Sequence, residues 1–195
     1  SYFTQLKSEY QYLAHKFGLR HMDASQWRFL RLRPQNFPHI RIAQLAQLYY
    51  EGRAGLSQLL DCETVRQMQE LLATQVTTYW ETHYVFGEES AKSEKRLSAA
   101  SLNLQIINTV IPVLFAYGRH KNSEKYCDRA FDFLEALKAE NNHIVRMWKE
   151  VGLTVETAGD SQALIQLKRE YCDRKDCLRC RIGYEYLKGR PSAQP

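Results

Sequence analysis

Apolar side chains recur at steps of three and four along most of this chain of 195 residues, and glycine and proline fall mostly where the stripes stop. That spacing gathers apolar groups on one side of an α-helix, whereas a half-buried strand needs strict alternation. Leu6, Tyr10, Leu13 and Phe17 form the first stripe, closed by Gly18. Ile42, Leu45, Ala46 and Tyr49 form a second behind Pro38, whose fixed φ suits a first helical turn. Each stripe is expected to face a core. Leu102, Ile106, Val110 and Leu114, with Ile107 and Ile111 beside them, make the most apolar helix, expected to be central and kinked by Pro112.

Further helices are expected around Val65, Met68 and Leu72 and over 123–138, 142–151, 161–172 (with Asp160 as N-cap) and 178–188. Residues 33–38 read as a proline-bounded turn, 77–86 as an extended or ordered loop, and 87–95 as the most mobile connection. The expected fold class is therefore all-α. It is an irregular bundle of about eight helices with a cysteine-rich helical hairpin at its C-terminal end. A single domain over 1–188 and a loose tail over 189–195 complete the expectation.

Composition narrows the class. An apolar share of 44% with 25% charged residues is that of a globular chain, and nine Gly and five Pro are too few for a turn-rich sandwich. Without an uninterrupted apolar run of about 18 residues, no segment is expected to cross a membrane. The first residues lack the pattern of a signal peptide, and the missing initiator Met suggests a processed chain or part of a longer one. Five cysteines, three of them within nine residues, do not suggest a secreted disulfide framework, so a reducing cytoplasm is expected.

The charge is unevenly placed. Between His15 and Arg41 stand Lys16, Arg20, Arg28, Arg31, Arg33 and Arg41 against the single acid Asp23. Residues 168–190 are basic as well. Such stretches are either solvated faces or contacts for an anionic partner, nucleic acid included.

Cys172, Cys177 and Cys180 are the strongest local chemical signal. If a helix starts at Cys177, Cys177 and Cys180 lie on one side of it, and Cys172 can fold back from the preceding helix. Nearby Arg174, Lys175, Arg179 and Arg181 would favour thiolates, which bind metal. A closed zinc site needs a fourth ligand, for which Cys62, His83, Cys127 and His143 are candidates. The spacing also occurs around iron–sulfur clusters, and reduced thiols or a disulfide remain open. Cys62 and Cys127 sit in helical patterns, where cysteine packs as a small apolar residue.

Arg33, Asn36 and Arg41 surround the start of the helix opened by Pro38. They either hold an anion or serve as an Asn cap and ion pairs. His83, within the aromatic run 80–87, and Asp160 with Gln162 are candidates for a pocket, against packing and capping roles. No glycine-rich phosphate loop, nucleophile elbow or paired zinc-binding histidines occur, so no catalytic residue is assigned and an enzyme is not favoured.

Four motifs together resemble a known family: residues 32–46 (LRPQNFPHIRIAQLA), 79–87 (YWETHYVFG), 107–112 (INTVIP) and 160–168 (DSQALIQLK), followed by the three cysteines. They resemble the bacterial family known as domain of unknown function 2851. Members run to about twice this length, so the resemblance implies a C-terminal half whose N-terminal partner half has a nuclease-like character. The motif positions are Arg33, Asn36, Arg41, His83, Asn108, Asp160, Gln162, Cys172, Cys177 and Cys180, and the family assigns them no roles. The expected function is a helical accessory or scaffold domain, stapled through the cysteines. The alternative is a nucleic-acid-binding module, in which Arg179 joins Arg33, Asn36 and Arg41 in contacting the ligand.

Overall fold

The computed structural model describes residues 1–189, so the tail expected beyond Gly189 lies outside the described residues. The chain is all-α apart from one small hairpin, and its contacts gather into two compact units. The first comprises Ser1–Cys62 and Arg66–Leu102, and the second Glu63–Val65 and the chain from Asn103 onward.

The first unit opens with helix α1 (Tyr2–Phe17), capped by the Ser1 hydroxyl and ended by Gly18 in a left-handed conformation, φ 61°. Two single 3-10 turns follow, Ala24–Gln26 and Pro34–Asn36. Then come α2 (Pro38–Tyr50), α3 (Leu56–Asp61), α4 (Val65–Leu72) and the short α5 (Thr78–Glu81). Strand β1 (His83–Val85) pairs antiparallel with β2 (Glu88–Glu89) through a bulged register.

The core of this unit is aromatic. Ile40, Val76 and Trp80 are buried, and Tyr2, Tyr79, Tyr84 and Phe86 pack around them. Tyr2 stacks on Tyr79 at 4.2 Å between centroids, and Trp80 meets Phe86 at 5.0 Å. Offset and edge-on arrangements of this kind add to the burial term.

Three expectations for this unit are corrected. Helix α1 forms where its period places it, yet none of its residues is buried. Only its Tyr2 end reaches the aromatic core, leaving Phe3, Leu6, Tyr10 and Phe17 exposed. Helix α2 turns the opposite way from its apolar stripe: Ile40, Gln44 and Leu48 are buried while Ile42, Leu45 and Tyr49 face out. The inward face won because Gln44 satisfies its amide there, donating to the Lys95 carbonyl at 2.8 Å, so its polarity costs little. The connection over 87–95 is pinned rather than loose. Ser90 N–H donates to the Thr82 carbonyl at 2.7 Å and Ser93 N–H to that of Glu81 at 3.0 Å.

Helix α6 (Ala99–Gln105) runs on through a π-helical turn, Ile106–Val110, into α7 (Ile111–Lys121). The π turn lies just ahead of Pro112, where the missing N–H must be absorbed, so the expected kink takes this form. The whole run, Ala99–Lys121, has 23 residues, and an 18-residue stretch within it has a mean hydropathy of 1.5, long and apolar enough to cross a membrane by length and composition. Asn103, Gln105, Asn108, Thr109 and Pro112 interrupt it, so it meets that test by average hydropathy and not as an unbroken apolar run. Ile106, Ile107, Val110, Ile111 and Leu114 are nonetheless buried, as a core helix requires.

In the second unit α7 turns at Asn122 (φ 52°) into α8 (Glu124–Ala136), followed by α9 (His143–Glu150) and α10 (Ala158–Leu167). A π-helical turn, Lys168–Cys172, and the last helix, α11 (Arg181–Leu187), complete it. Ile144, Val145, Val155 and Ile165 form the apolar cluster, with Trp148 against it donating from Nε1 to the Leu164 carbonyl at 3.3 Å. Helix α10 starts three residues earlier than expected. Thr157 is its N-cap and Asp160 the reciprocal partner in a capping box.

Helices α7 and α8 approach closely at Gly118. A Cβ there would lie 2.7 Å from Cys127 Sγ, 2.9 Å from the Cys127 backbone nitrogen and 3.0 Å from the Ser123 carbonyl oxygen. Alanine normally favours a helix interior over glycine by roughly 0.5–1 kcal/mol. Here the clash with backbone reverses the sign. Gly118→Ala should destabilise the chain by about 1–3 kcal/mol, read as a lower urea midpoint, and a raised midpoint would contradict the packing.

His39 sits among Phe29, Phe86 and Trp80, at 5.3, 5.3 and 6.1 Å between ring centroids, with Nδ1 buried and unpartnered. Burial holds this imidazole below its ordinary value of 6.5. As pH falls the unfolded chain therefore binds its proton first. This contribution to stability is complete above about pH 6.5 and declines as pH drops toward the lowered native value. The thermal midpoint should fall over that window, and His39→Phe should flatten the fall. Parallel curves for the two proteins would refute the assignment.

Candidate functional site

Arg33 and Asn36 lie at the two ends of the 3-10 turn just before α2, and Arg41 lies in the first turn of α2. Phe37 occupies the N-cap and offers no side-chain oxygen. Asn36 does not cap the helix either. Its Oδ1 accepts from Arg41 Nη2 at 2.6 Å, while Arg41 Nη1 donates to Gln44 Oε1 at 3.0 Å. Gln44 is itself tied to Lys95, so the guanidinium is held in one orientation by two neutral oxygens. Arg41 makes no ion pair among the described residues, which leaves a half-buried cation without an acid. Burial pushes the guanidinium below its usual range, though it stays charged.

Residues 19–33 adjoin this turn, because Phe29 packs against Phe37 at 5.5 Å and against His39. Asp23, the one acid here, caps the Ala24–Gln26 turn by accepting from Ser25 N–H at 2.8 Å. That bonding with Ser25 holds its carboxyl below the usual carboxylate range. A tight turn with Arg31 at φ 63° lifts Leu30 to 85% exposure. Leu19, Met22, Trp27, Phe29 and Leu32 are exposed beside it. Arg20, Arg28, Arg31 and Arg33 make no ion pair among the described residues.

The second basic stretch differs. Arg174 pairs with Glu170 at 2.7 Å, Arg179 with Asp176 at 3.4 Å and Lys168 with Asp173. Arg179, expected as an anion contact, is thus already matched by an acid.

The pocket candidates serve two different grooves, one in each unit. His83 lines a groove of about 540 Å³ with Tyr2, Phe3, Tyr79 and Phe86. Its ring is buried, stacks on Tyr79 at 4.0 Å, and donates from Nδ1 to the Tyr79 carbonyl at 2.9 Å. Asp160 and Gln162 line a groove of about 720 Å³ with Phe131, Glu135 and Arg169. The Asp160 carboxylate accepts the N–H groups of Glu156 and Thr157, each at 3.0 Å, and these bonds hold it below the usual carboxylate range. Gln162 donates to Glu140. Capping and packing account for all three residues.

The cysteines do not assemble as expected. Helix α11 begins at Arg181 with Cys180 as its N-cap, so Cys177 lies before the helix rather than one turn inside it. Cys172 and Cys177 are exposed and Cys180 is buried. The described residues contain no group of three or more His, Cys, Asp or Glu side chains placed to hold a metal. What does close this region is Gly183, whose added Cβ would stand 2.7 Å from the Cys177 carbonyl oxygen. Among the other cysteines, Cys62 donates from Sγ to Gln58 O at 3.3 Å, and Cys127 packs against Gly118.

Lys95 escaped the sequence reading. It is 3% exposed, donates from Nζ to the Glu81 carbonyl at 2.8 Å, and lies 4.2 Å from the Tyr84 ring centroid. Burial lowers its pKa, partly offset by Glu81. No periodicity marks a lysine in a polar connection as buried.

No curated protein and no solved structure matches the chain. A family model described as protein of unknown function (DUF2851) matches residues 1–143, which takes in the motifs at 32–46, 79–87 and 107–112. Asp160, Gln162 and the three C-terminal cysteines lie beyond that match, so the resemblance drawn from them does not rest on it. The aromatic core, the Arg41 niche and the π turn before Pro112 all fall inside it: the chain belongs to the DUF2851 family.

Proposed function

We propose that this chain is a helical accessory domain of a longer protein, the C-terminal half in the family's usual arrangement, and that its first unit docks against the remainder. The supporting observation is α1. Its 16 residues form a capped helix with an apolar face, yet none is buried within the chain. Phe17 is 62% exposed, and Phe3, Leu6 and Tyr10 are exposed on successive turns. The outer face of α2 adds Ile42, Leu45 and Tyr49. Large apolar patches of this kind mark surfaces meant for a partner.

The arrangement supplies shape and apolar area rather than chemistry. Among the titratable candidates His83 stacks, Asp160 caps and Arg179 pairs with Asp176, while the cations of 20–41 have no acid partner among the described residues. A scaffold needs no more than that.

Mixing the chain with the separately expressed remainder of its longer polypeptide tests the reading. The two should associate, and the Leu6→Glu/Tyr10→Glu double variant should weaken association by at least about tenfold. Its thermal midpoint should barely move, since exposed substitutions usually cost within about 0.5 kcal/mol. A sharp loss of stability with unchanged association would show that α1 serves the chain's own core and would overturn the proposal.

A further inference from the structure

Resting on that docking reading, we infer that residues 19–33 and the first turn of α2 receive an acidic, amphipathic segment of polypeptide, with one of its carboxylates seated on Arg41. Residues 19–33 expose cations and apolar groups in the same short stretch of chain. Arg20, Arg28, Arg31 and Arg33 lack acid partners among the described residues, and the only local carboxylate, Asp23, is taken up by Ser25. The cations of 168–179 contrast with these, since several are neutralised by acids of their own stretch. A partner must therefore bring negative charge, and it must bring apolar groups to cover Leu19, Met22, Leu30 and Leu32.

The exposed groups discriminate among anionic partners. Bases of a single strand stack on ring faces. Phe29 is packed against Phe37 and His39, which leaves Trp27 as a single exposed ring beside Leu19, Met22, Leu30 and Leu32, too few for a run of stacked bases. A bilayer surface is met by long cations that reach outward. Arg41 instead is half-buried and fixed by Asn36 at 2.6 Å and Gln44 at 3.0 Å. A recessed, oriented guanidinium fork matches a single inserted carboxylate. Leucine and glutamate on one helix would meet both requirements at once.

Four probes test this on the whole chain by calorimetry: a synthetic amphipathic peptide of leucine and glutamate, the same peptide with glutamine for glutamate, oligo-dT, and phosphatidylcholine–phosphatidylserine vesicles. The leucine–glutamate peptide should bind saturably and more weakly as salt rises. Arg28→Glu/Arg31→Glu, Leu30→Asp and Arg41→Lys should each weaken it by about tenfold. Arg41→Lys keeps the charge and loses the fork, and the other changes lie on exposed side chains, so the chain stays folded. Equal binding of the glutamine peptide would leave the docking surface standing and overturn its acidic partner. Tighter binding of oligo-dT or vesicles, with the same dependence on the variants, would overturn the polypeptide. Failure of both peptides would overturn the inference, while the α1 double variant independently decides the docking reading.

Discussion

The packing of Trp80 is the contact on which the first unit depends. The indole is 5% exposed, with Phe86 and Tyr79 against it at 5.0 and 5.2 Å and the tilted ring of His39 at 6.1 Å. It joins the buried side of α2, through Ile40, to the segment running from α5 into β1. Once these rings fill the interior, α1 can contribute only its first residues. Tyr2 completes the stack and the rest of the helix is left outside. The exposed apolar face of α1 thus follows from how the core is filled.

Polar groups fix what the rings do not. Gln44 accepts from Arg41 and donates to the Lys95 carbonyl, and Lys95 in turn donates to Glu81. This relay crosses from α2 to the connection after β2 and gives the Gln44 amide and the Lys95 ammonium their partners. It also orients Arg41 with neutral acceptors, so the positive charge remains unspent. Exposed apolar groups and uncompensated charge consequently occur together within residues 19–41, a combination that water tolerates and a matching partner removes.

Helix positions are legible where their stops are local, as at Gly18 and Pro38, which act within one turn of chain. Which face turns inward is not. On α2 the inward row includes Gln44, whose partner Lys95 is 51 residues away, and no pattern on the helix announces it. The stripe of α1 is real, but periodicity reports an apolar face without saying whether this chain covers it. The start of α10 was misplaced because Asp160 is equally apt as a cap or as the third residue of a capping box. The three cysteines looked convergent only if a helix began at Cys177; Cys180 caps it instead, and the register is lost. Asn36 and Arg41, read from the sequence as a cap or as anion contacts, meet each other as a hydrogen-bonded pair.

The central claim is that α1 beyond its first turn buries no residue against the rest of the described chain. Amide hydrogen exchange on the isolated protein measures this segment by segment. The account predicts fast exchange through α1 from Leu6 to Phe17, against strong protection in α2 and around Trp80. Protection of α1 equal to that of α2 in a monomeric sample would contradict it.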